Sequence, residues 1–128
     1  MKYLLDTHVF LWFILDNEKI SSKALNIISN RNNELFLSAA SGWEVAIKAH
    51  LGKIQLNNNP EIFIPEHLSA NSIKSLPIKM SHMLHTFTLP FHHKDPFDRL
   101  IISQAQLEKM SIITADPLFE KYTIKLLW

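Results

Sequence analysis

Short apolar runs alternate with segments of helical periodicity along this chain, and this alternation restricts its fold more than any other feature. Short apolar runs bounded by polar residues indicate buried strands, whereas apolar residues spaced three and four apart indicate helices. Strands that alternate with helices predict an α/β fold with an open, mostly parallel sheet covered on both faces. The predicted strands are residues 3–5, 35–37, 73–76, 111–114 and 124–127.

Capping and turn residues predict helices between these strands. The first helix follows Asp6 and runs to about residue 15, and Ser38 caps another that Gly52 ends. Residues 60 to about 70 form a further helix, and Asp95 caps a long one that runs to about residue 109. A helix beginning at residues 21–22 has a predicted inner face formed by Ala24, Leu25, Ile27 and Ile28.

One segment has two possible interpretations. Met80, Met83, Leu84 and Phe87 have the spacing of a single helix face, which is more typical of a core than of a groove for a partner. A dimer surface within residues 60–90 is the alternative.

Length and cysteine content bound the class of protein. A chain of 128 residues, 47% of them hydrophobic, can bury a core within one domain, which we predict to span residues 1–128. The absence of cysteine excludes disulfides, thiolate metal ligands and a cysteine nucleophile, and it is compatible with a reducing cytoplasm. The apolar run at residues 9–15 is too short to cross a bilayer, so neither an anchor nor a signal peptide is expected.

The charge balance limits how the chain can bind a polyanion. With 13 basic and 12 acidic side chains its formal charge is +1, far from the strongly basic balance of proteins that bind nucleic acid by charge alone. A nucleic-acid partner would therefore need a metal or a local basic patch, for which the candidates are Arg31, Lys48, Lys53, Lys79 and Lys94.

Four carboxylates lie where such a sheet would place a functional site. Asp6 and Asp116 follow predicted strands, Glu44 lies in the first or second turn of a predicted helix, and Asp98 lies in the first turn of another. Parallel sheets bind ligands at the carboxyl ends of their strands, near a switch in strand order. We therefore expect the four side chains to meet at one edge of the sheet.

Each of these acids also has a purely structural interpretation. Asp6 and Asp116 are suitable helix caps, and Asp98 is the third residue after the cap Asp95, as in a capping box. Glu44 lies four residues before Lys48, a spacing that favours a surface ion pair. Each residue alone leaves the choice open.

Convergence of the four would favour a metal site. At about 4 Å two like charges repel by about 4 kcal/mol at an effective dielectric near 20, so four carboxylates stay ionised together only beside a cation. Oxygen ligands without sulfur select Mg²⁺ or Mn²⁺. An ion of this kind activates a water for attack on a phosphodiester and stabilises the leaving oxygen.

A resemblance to a known family rests on four short segments in a fixed order. They are LLDT at 4–7, WE at 43–44, HKDPFDRL at 93–100 and ITAD at 113–116. Each is weak alone, but the ordered set resembles the PIN-domain nucleases and, more closely, the VapC-type toxins of bacterial toxin–antitoxin pairs. The likeness extends from residue 3 to about residue 122.

The resemblance implies a three-layer α/β/α fold and Mg²⁺- or Mn²⁺-dependent endonucleolytic cleavage of RNA in the cytoplasm. It also implies a homodimer and inhibition by a cognate antitoxin that covers the site. By position, the metal-binding acids are Asp6, Glu44, Asp98 and Asp116.

Neighbouring residues have less defined roles. Thr114 either orients a water or phosphate or is a simple strand residue, and Arg99 either holds a phosphate, pairs with a carboxylate or forms an ordinary surface ion pair. Asp95 is interpreted as a helix cap rather than as a support for a metal ligand.

Three other hypotheses are compatible with parts of the sequence. A phosphoaspartyl receiver or phosphohydrolase uses a similar sheet, but it requires an aspartate after a middle strand, where Ser75-Leu76-Pro77 stands. A non-catalytic, acidic-edged protein-binding module is the second. Zinc binding by His82 and His85, or by the pair at 92–93, is the third; no HExxH pattern supports it, and His82 and His85 are expected on a solvated face.

Overall fold

The computed structural model describes residues 1–92 and 94–128, and its centre is a parallel sheet. The strands within these residues are β1 (Lys2–Leu5), β2 (Glu34–Ser38), β3 (Ile73–Leu76), β4 (Ser111–Ile113) and β5 (Leu126–Leu127). They are ordered β3-β2-β1-β4-β5, and each adjacent pair is parallel. The predicted parallel sheet is confirmed, with β5 beginning two residues later than expected.

Helices connect the strands. In the described part of the chain they are α1 (Thr7–Ile14), α2 (Ser22–Ser29), α3 (Ala39–His50), α4 (Pro60–Ala70), α5 (Met80–His85) and α6 (Pro96–Glu108), with 3₁₀ segments at Thr86–Thr88 and Pro117–Lys121. The side chains of Ser21, Ser38, Asn59 and Asp95 accept hydrogen bonds from first-turn amides, as their types predict. None of these helices is long and apolar enough to cross a membrane.

Apolar side chains cover both faces of the sheet, because successive residues of a strand point to opposite sides. Leu5 packs with Phe10 and Ala24 of α1 and α2. Leu4, the preceding residue, packs with Ile101 and the rest of the α6 face. This arrangement confirms the three-layer α/β/α fold.

The strand order places a crevice at the carboxyl edge of the sheet. From β1 the chain proceeds to β2 and β3 on one side and later to β4 and β5 on the other. The order therefore reverses between β1 and β4, where the loops that follow neighbouring strands diverge. Asp6 follows β1 at this point, and Thr114 follows β4.

One predicted inner face is wrong at a single residue, and another is inverted. Leu25 of α2 is 42% exposed, while Ala24 and Ile28 are buried as expected. In and just after α5 the prediction is inverted, because the buried side chain is the polar His82 and the exposed ones are the apolar Met80, Met83, Leu84 and Phe87. The physical reason is that α6 offers His82 hydrogen-bonding partners, and that α5 ends at His85, so Phe87 lies in the 3₁₀ segment that follows.

Candidate active site

Asp6 ends up buried between the carboxyl ends of two neighbouring strands. Its side chain makes no capping hydrogen bond to α1; instead, the hydroxyl of Thr114 donates to Asp6 Oδ2 across 2.8 Å. Burial raises the pKa of the Asp6 carboxyl, the hydrogen bond from Thr114 and the interactions with His8 oppose this, and the charge of Glu44 raises the pKa slightly further. Asp6 is the N-cap of α1 by position, but its burial and its bond to Thr114 go beyond what a helix cap requires.

Thr114 also connects Asp6 with Asp116. Its hydroxyl accepts a hydrogen bond from the backbone N–H of Asp116 at 3.1 Å. Asp116 Oδ1 in turn accepts from the backbone N–H of Leu118 at 2.9 Å, which caps the 3₁₀ helix Pro117–Lys121. The capping interpretation of Asp116 is thus confirmed, but the same geometry holds it beside Asp6. The sequence left the role of Thr114 open. Its position two residues before Asp116 was the only sequence feature that indicated a role near the acids.

Glu44 lies on the inner side of α3 and is only 3% exposed. Its Oε2 accepts a hydrogen bond from Lys48 Nζ at 2.7 Å, and this hydrogen bond raises the pKa of Lys48. Its Oε1 is buried and has no hydrogen-bond partner among the described residues. Leaving a buried acceptor unpaired costs about 1–3 kcal/mol. The i,i+4 ion pair therefore forms as predicted, but on a buried carboxylate that retains an unused oxygen.

Asp98 lies in the first turn of α6, just after the cap. Asp95 Oδ1 accepts from the backbone N–H groups of Phe97, at 2.8 Å, and Asp98, at 3.3 Å, which confirms Asp95 as the cap. Burial raises the pKa of Asp98 to about 8, and the negative charge of Asp95 adds to the effect.

The pKa of Asp98 also reports on the remaining acids. The charges of Asp6, Glu44 and Asp116 each raise it further. An aspartate responds in this way only to carboxylates nearby, because Coulomb interactions weaken with distance and with intervening water. The four acids of the sequence prediction come from four separate segments, and the fold brings their charges into one region.

Direct coordination is a stricter criterion than electrostatic proximity. Among residues 1–92 and 94–128, no group of three or more His, Asp or Glu side chains is placed to hold a metal ion. Lys48 and the amide of Leu118 occupy oxygens of Glu44 and Asp116. Mg²⁺ in proteins commonly takes one or two carboxylates directly and retains several waters, so a looser ring of acids is sufficient for it.

The donor chemistry fits such a cation. All four candidate ligands are carboxylates, the hard donors that Mg²⁺ and Mn²⁺ prefer. Glu44 Oε1 is buried without a hydrogen-bond donor in the described structure, and two of the carboxyls have raised pKa values. The features reflect burial of carboxylates together with their mutual repulsion, and a divalent ion would offset both.

Buried hydrogen bonds link the helices that carry the acids. Thr7 at the start of α1 donates to Ser41 of α3 at 2.8 Å. Ser38, which caps α3, donates to Gln104 Oε1 of α6. These bonds fix the helix ends relative to one another, so that Glu44 and Asp98 keep their separation.

Arg99 and the histidines have other partners. Arg99 donates to the backbone carbonyls of Thr86, Leu89 and Pro90, so it anchors the chain after α5. These carbonyl contacts are additional to the three roles that the sequence left open for Arg99. Both ring nitrogens of His82 contact protein groups, which speaks against His82 as a zinc ligand; position 93 lies outside the described residues.

The comparisons with known proteins agree with this fold. The sequence matches the PIN domain over residues 3–125. It is 28% identical over 71 residues to Ribonuclease VapC16 of Mycobacterium tuberculosis, a match that covers 52% of this chain and 50% of that protein. The chain therefore spans about half the length of this curated relative.

Solved structures with the same fold match nearly the whole chain. VapBC2 from Rickettsia felis, bound to a DNA fragment from its promoter, has a TM-score of 0.73 at 18% identity and covers 99% of this chain and 98% of its own. VapBC-1 from nontypeable Haemophilus influenzae has a TM-score of 0.66 at 20% identity, with 99% and 97% covered. At these identities the likeness concerns the fold.

Proposed function

Because this chain belongs to the PIN-domain family, we propose that it is a metal-dependent endoribonuclease in which Asp6, Glu44, Asp98 and Asp116 hold Mg²⁺ or Mn²⁺. The observation that supports this most strongly is Glu44 Oε1, a buried carboxylate oxygen without a hydrogen-bond partner among the described residues, in the region where burial and neighbouring carboxylates raise the pKa of Asp98. Burial and nearby negative charge both raise the pKa of a carboxyl group, and a bound cation opposes both.

The residues of this chain prepare the site in distinct ways. Bound there, the ion would supply Lewis acidity to a phosphate oxygen and lower the pKa of an attacking water. Thr114 orients Asp6, and Lys48 partly neutralises Glu44. Burial and the neighbouring acids raise the pKa of Asp98 to about 8, and a cation held at this site would favour its carboxylate form, which is the form that binds metal.

The test is RNA cleavage by matched variants. Purified protein, Asp98→Asn and Asp16→Asn are incubated with total RNA and Mg²⁺ or Mn²⁺; Asp16 is an exposed aspartate outside the site. We expect cleavage by wild type and Asp16→Asn, none by Asp98→Asn, and none for any protein in EDTA. Equal cleavage by all three proteins in the presence of metal would refute the site assignment.

We further propose that the chain is the toxin of a toxin–antitoxin pair, acting on RNA in the cytoplasm. The similar fold of the VapBC structures and the name of the curated relative support this proposal. Expression alone should slow growth, and co-expression of a small protein encoded beside it should restore growth. Normal growth at a high level of folded protein would contradict the toxin role and leave the nuclease chemistry unaffected.

A homodimer completes the proposal, with the antitoxin covering the acid site. The exposed apolar side chains of α5, Met80, Met83 and Leu84, supply surface for a protein contact. Light scattering should give the mass of a dimer for wild type and of a monomer for Leu84→Glu. A monomeric wild type would contradict the dimer.

A further inference from the structure

Two aromatic rings lie next to the acid site, each one residue before a proposed metal ligand. Trp43 precedes Glu44 in α3, and Phe97 precedes Asp98 in α6. Their ring centroids are 5.4 Å apart with planes at 78°, an edge-to-face contact between the two helices. Because successive helical residues point in directions about 100° apart, the rings stand beside the acids rather than among them.

Trp43 differs from the other tryptophans of the chain. It is 63% exposed, whereas Trp12 and Trp128 are half-buried and pack against each other with centroids 5.8 Å apart. A single exposed apolar side chain needs no functional explanation by itself. The position of Trp43 does call for an explanation, because Phe97 holds its ring next to the acid site.

The contact between the two rings does not use all of their stacking surface. An edge-to-face pair uses the edge of one ring and one face of the other, so this contact leaves at least one face of the Trp43 indole unused, and the indole is 63% exposed. Phe97 is half-buried and so supports the pair, while the indole projects into solvent. A planar group can stack there.

Electrostatics explains why a nuclease of this composition would need such a surface. The formal charge is only +1, and the proposed site is itself acidic, so phosphates gain little attraction from the protein. Lys48 beside the site is already paired with Glu44. Stacking of bases on aromatic rings contributes affinity that does not depend on charge.

We propose that Trp43, supported by Phe97, is the stacking platform for an unpaired RNA base next to the phosphate that is cleaved. This inference rests on the proposed function and specifies its substrate class as single-stranded RNA or a loop, because a base inside a duplex is already stacked on its neighbours. Trp43 is a substrate-binding residue in this account and takes no part in the bond-breaking step.

The experiment combines variants with base removal. A single-stranded RNA of mixed sequence and a series of the same RNA, each lacking one base, are cleaved by wild type, Trp43→Leu, Trp43→Phe and Leu51→Ala. Leu51 is an exposed apolar residue just past the C-terminal end of α3 and serves as the matched control. Thermal unfolding confirms that all four proteins fold.

We expect Trp43→Leu to raise KM by about 5- to 150-fold with little change in kcat, the range that base stacking spans, and Trp43→Phe to raise it less. Removing one particular base should raise KM for wild type and leave that of Trp43→Leu unchanged. The stacking proposal would be wrong if Trp43→Leu had an unchanged KM. It would also be wrong if removal of that base raised the KM of wild type and of Trp43→Leu equally.

A binding measurement in EDTA separates this inference from the proposed function. Trp43 is the most exposed indole, so RNA should quench the fluorescence of wild type and leave that of Trp43→Phe unchanged. Quenching without any cleavage in metal would refute the nuclease and retain the platform. Cleavage in metal without quenching would refute the platform and retain the nuclease.

Discussion

Two buried polar clusters lie along α6, and they differ in how completely their hydrogen bonds are made. Around His82, the backbone N–H of Lys79 donates to Nδ1, so Nε2 carries the proton and donates to Glu108 Oε2 at 2.8 Å. Gln104 also donates to His82 Nδ1, and Ser103 donates to the carbonyl of His82.

In the acid cluster at the N-terminal end of α6, one buried oxygen is not satisfied in this way. Glu44 Oε1 has no hydrogen-bond partner in the described structure, and the pKa values of Asp6 and Asp98 are raised. Buried polar groups in folded proteins are normally paired. The contrast distinguishes a cluster that stabilises the fold from one that, in the proposed function, a metal ion completes.

The largest expected effect follows from Asp98→Asn. Metal-dependent cleavage should fall by more than about a hundredfold, since even groups that only support metal ligands matter by about 10- to 100-fold. Without metal the same variant should be more stable than wild type at pH 8, because it removes a carboxyl whose ionisation the fold disfavours. Single-turnover cleavage measures the loss of activity, and thermal unfolding in EDTA measures the gain in stability. A less stable variant would contradict the view that the fold disfavours the Asp98 carboxylate.

For His82→Ala we expect the opposite pattern, a loss of stability with little change in cleavage. The free energy of unfolding should fall by about 2–4 kcal/mol, because the change leaves a cavity and unpaired buried groups on α5 and α6. Urea titration measures this, with the half-buried His85→Ala as a control that should change less. Cleavage per folded molecule should stay close to wild type. A stable protein without activity would show that the His82 cluster belongs to the site.

Thr114→Val tests a hydrogen bond inside the acid cluster. Loss of the hydroxyl that donates to Asp6 should weaken Mn²⁺ binding by about 10- to 100-fold, whereas Thr114→Ser should retain most of the affinity. Titration of Mn²⁺ followed by electron paramagnetic resonance compares the two variants. Equal affinities would mean that the hydroxyl does not orient Asp6 for the metal.

A separate effect, on stability and not on cleavage, is expected from pH. The folded protein keeps the Asp98 proton to about pH 8, whereas the unfolded chain loses it near 3.8. The folded state therefore binds more protons in this window, and stability in EDTA should fall as pH rises from 5 to 8. A change of 1 kcal/mol moves the unfolding midpoint by about 4 °C in a chain of this size. Asp98→Asn should flatten the profile, and a rise with pH would contradict the raised pKa.

The sequence predicted the sheet and most helices because their signals are local. Asp95 before Pro96 and the apolar runs at 3–5 and 111–114 specify caps and strands without knowledge of the rest of the chain. The ordered acids also predicted the region in which the four carboxylate charges act on one another. The inverted α5 could not be foreseen, because the burial of His82 depends on Glu108 and Gln104, which are more than 20 residues away in sequence.

Thr114 shows the same limit within the site. Its hydroxyl contacts Asp6 across 108 residues of sequence, and its β-branched side chain is equally typical of any strand. The exposed indole of Trp43 was likewise not predicted, since nothing local distinguishes it from a core tryptophan.

Anomalous diffraction from a crystal soaked in Mn²⁺ would test the shared metal site most directly. We expect a single strong peak, or a close pair, bounded by carboxylate oxygens of Asp6, Glu44, Asp98 and Asp116. We also expect Glu44 to have moved from Lys48 toward the ion. A crystal that binds Mn²⁺ elsewhere, with the four carboxylates still held by their separate protein partners, would contradict the account.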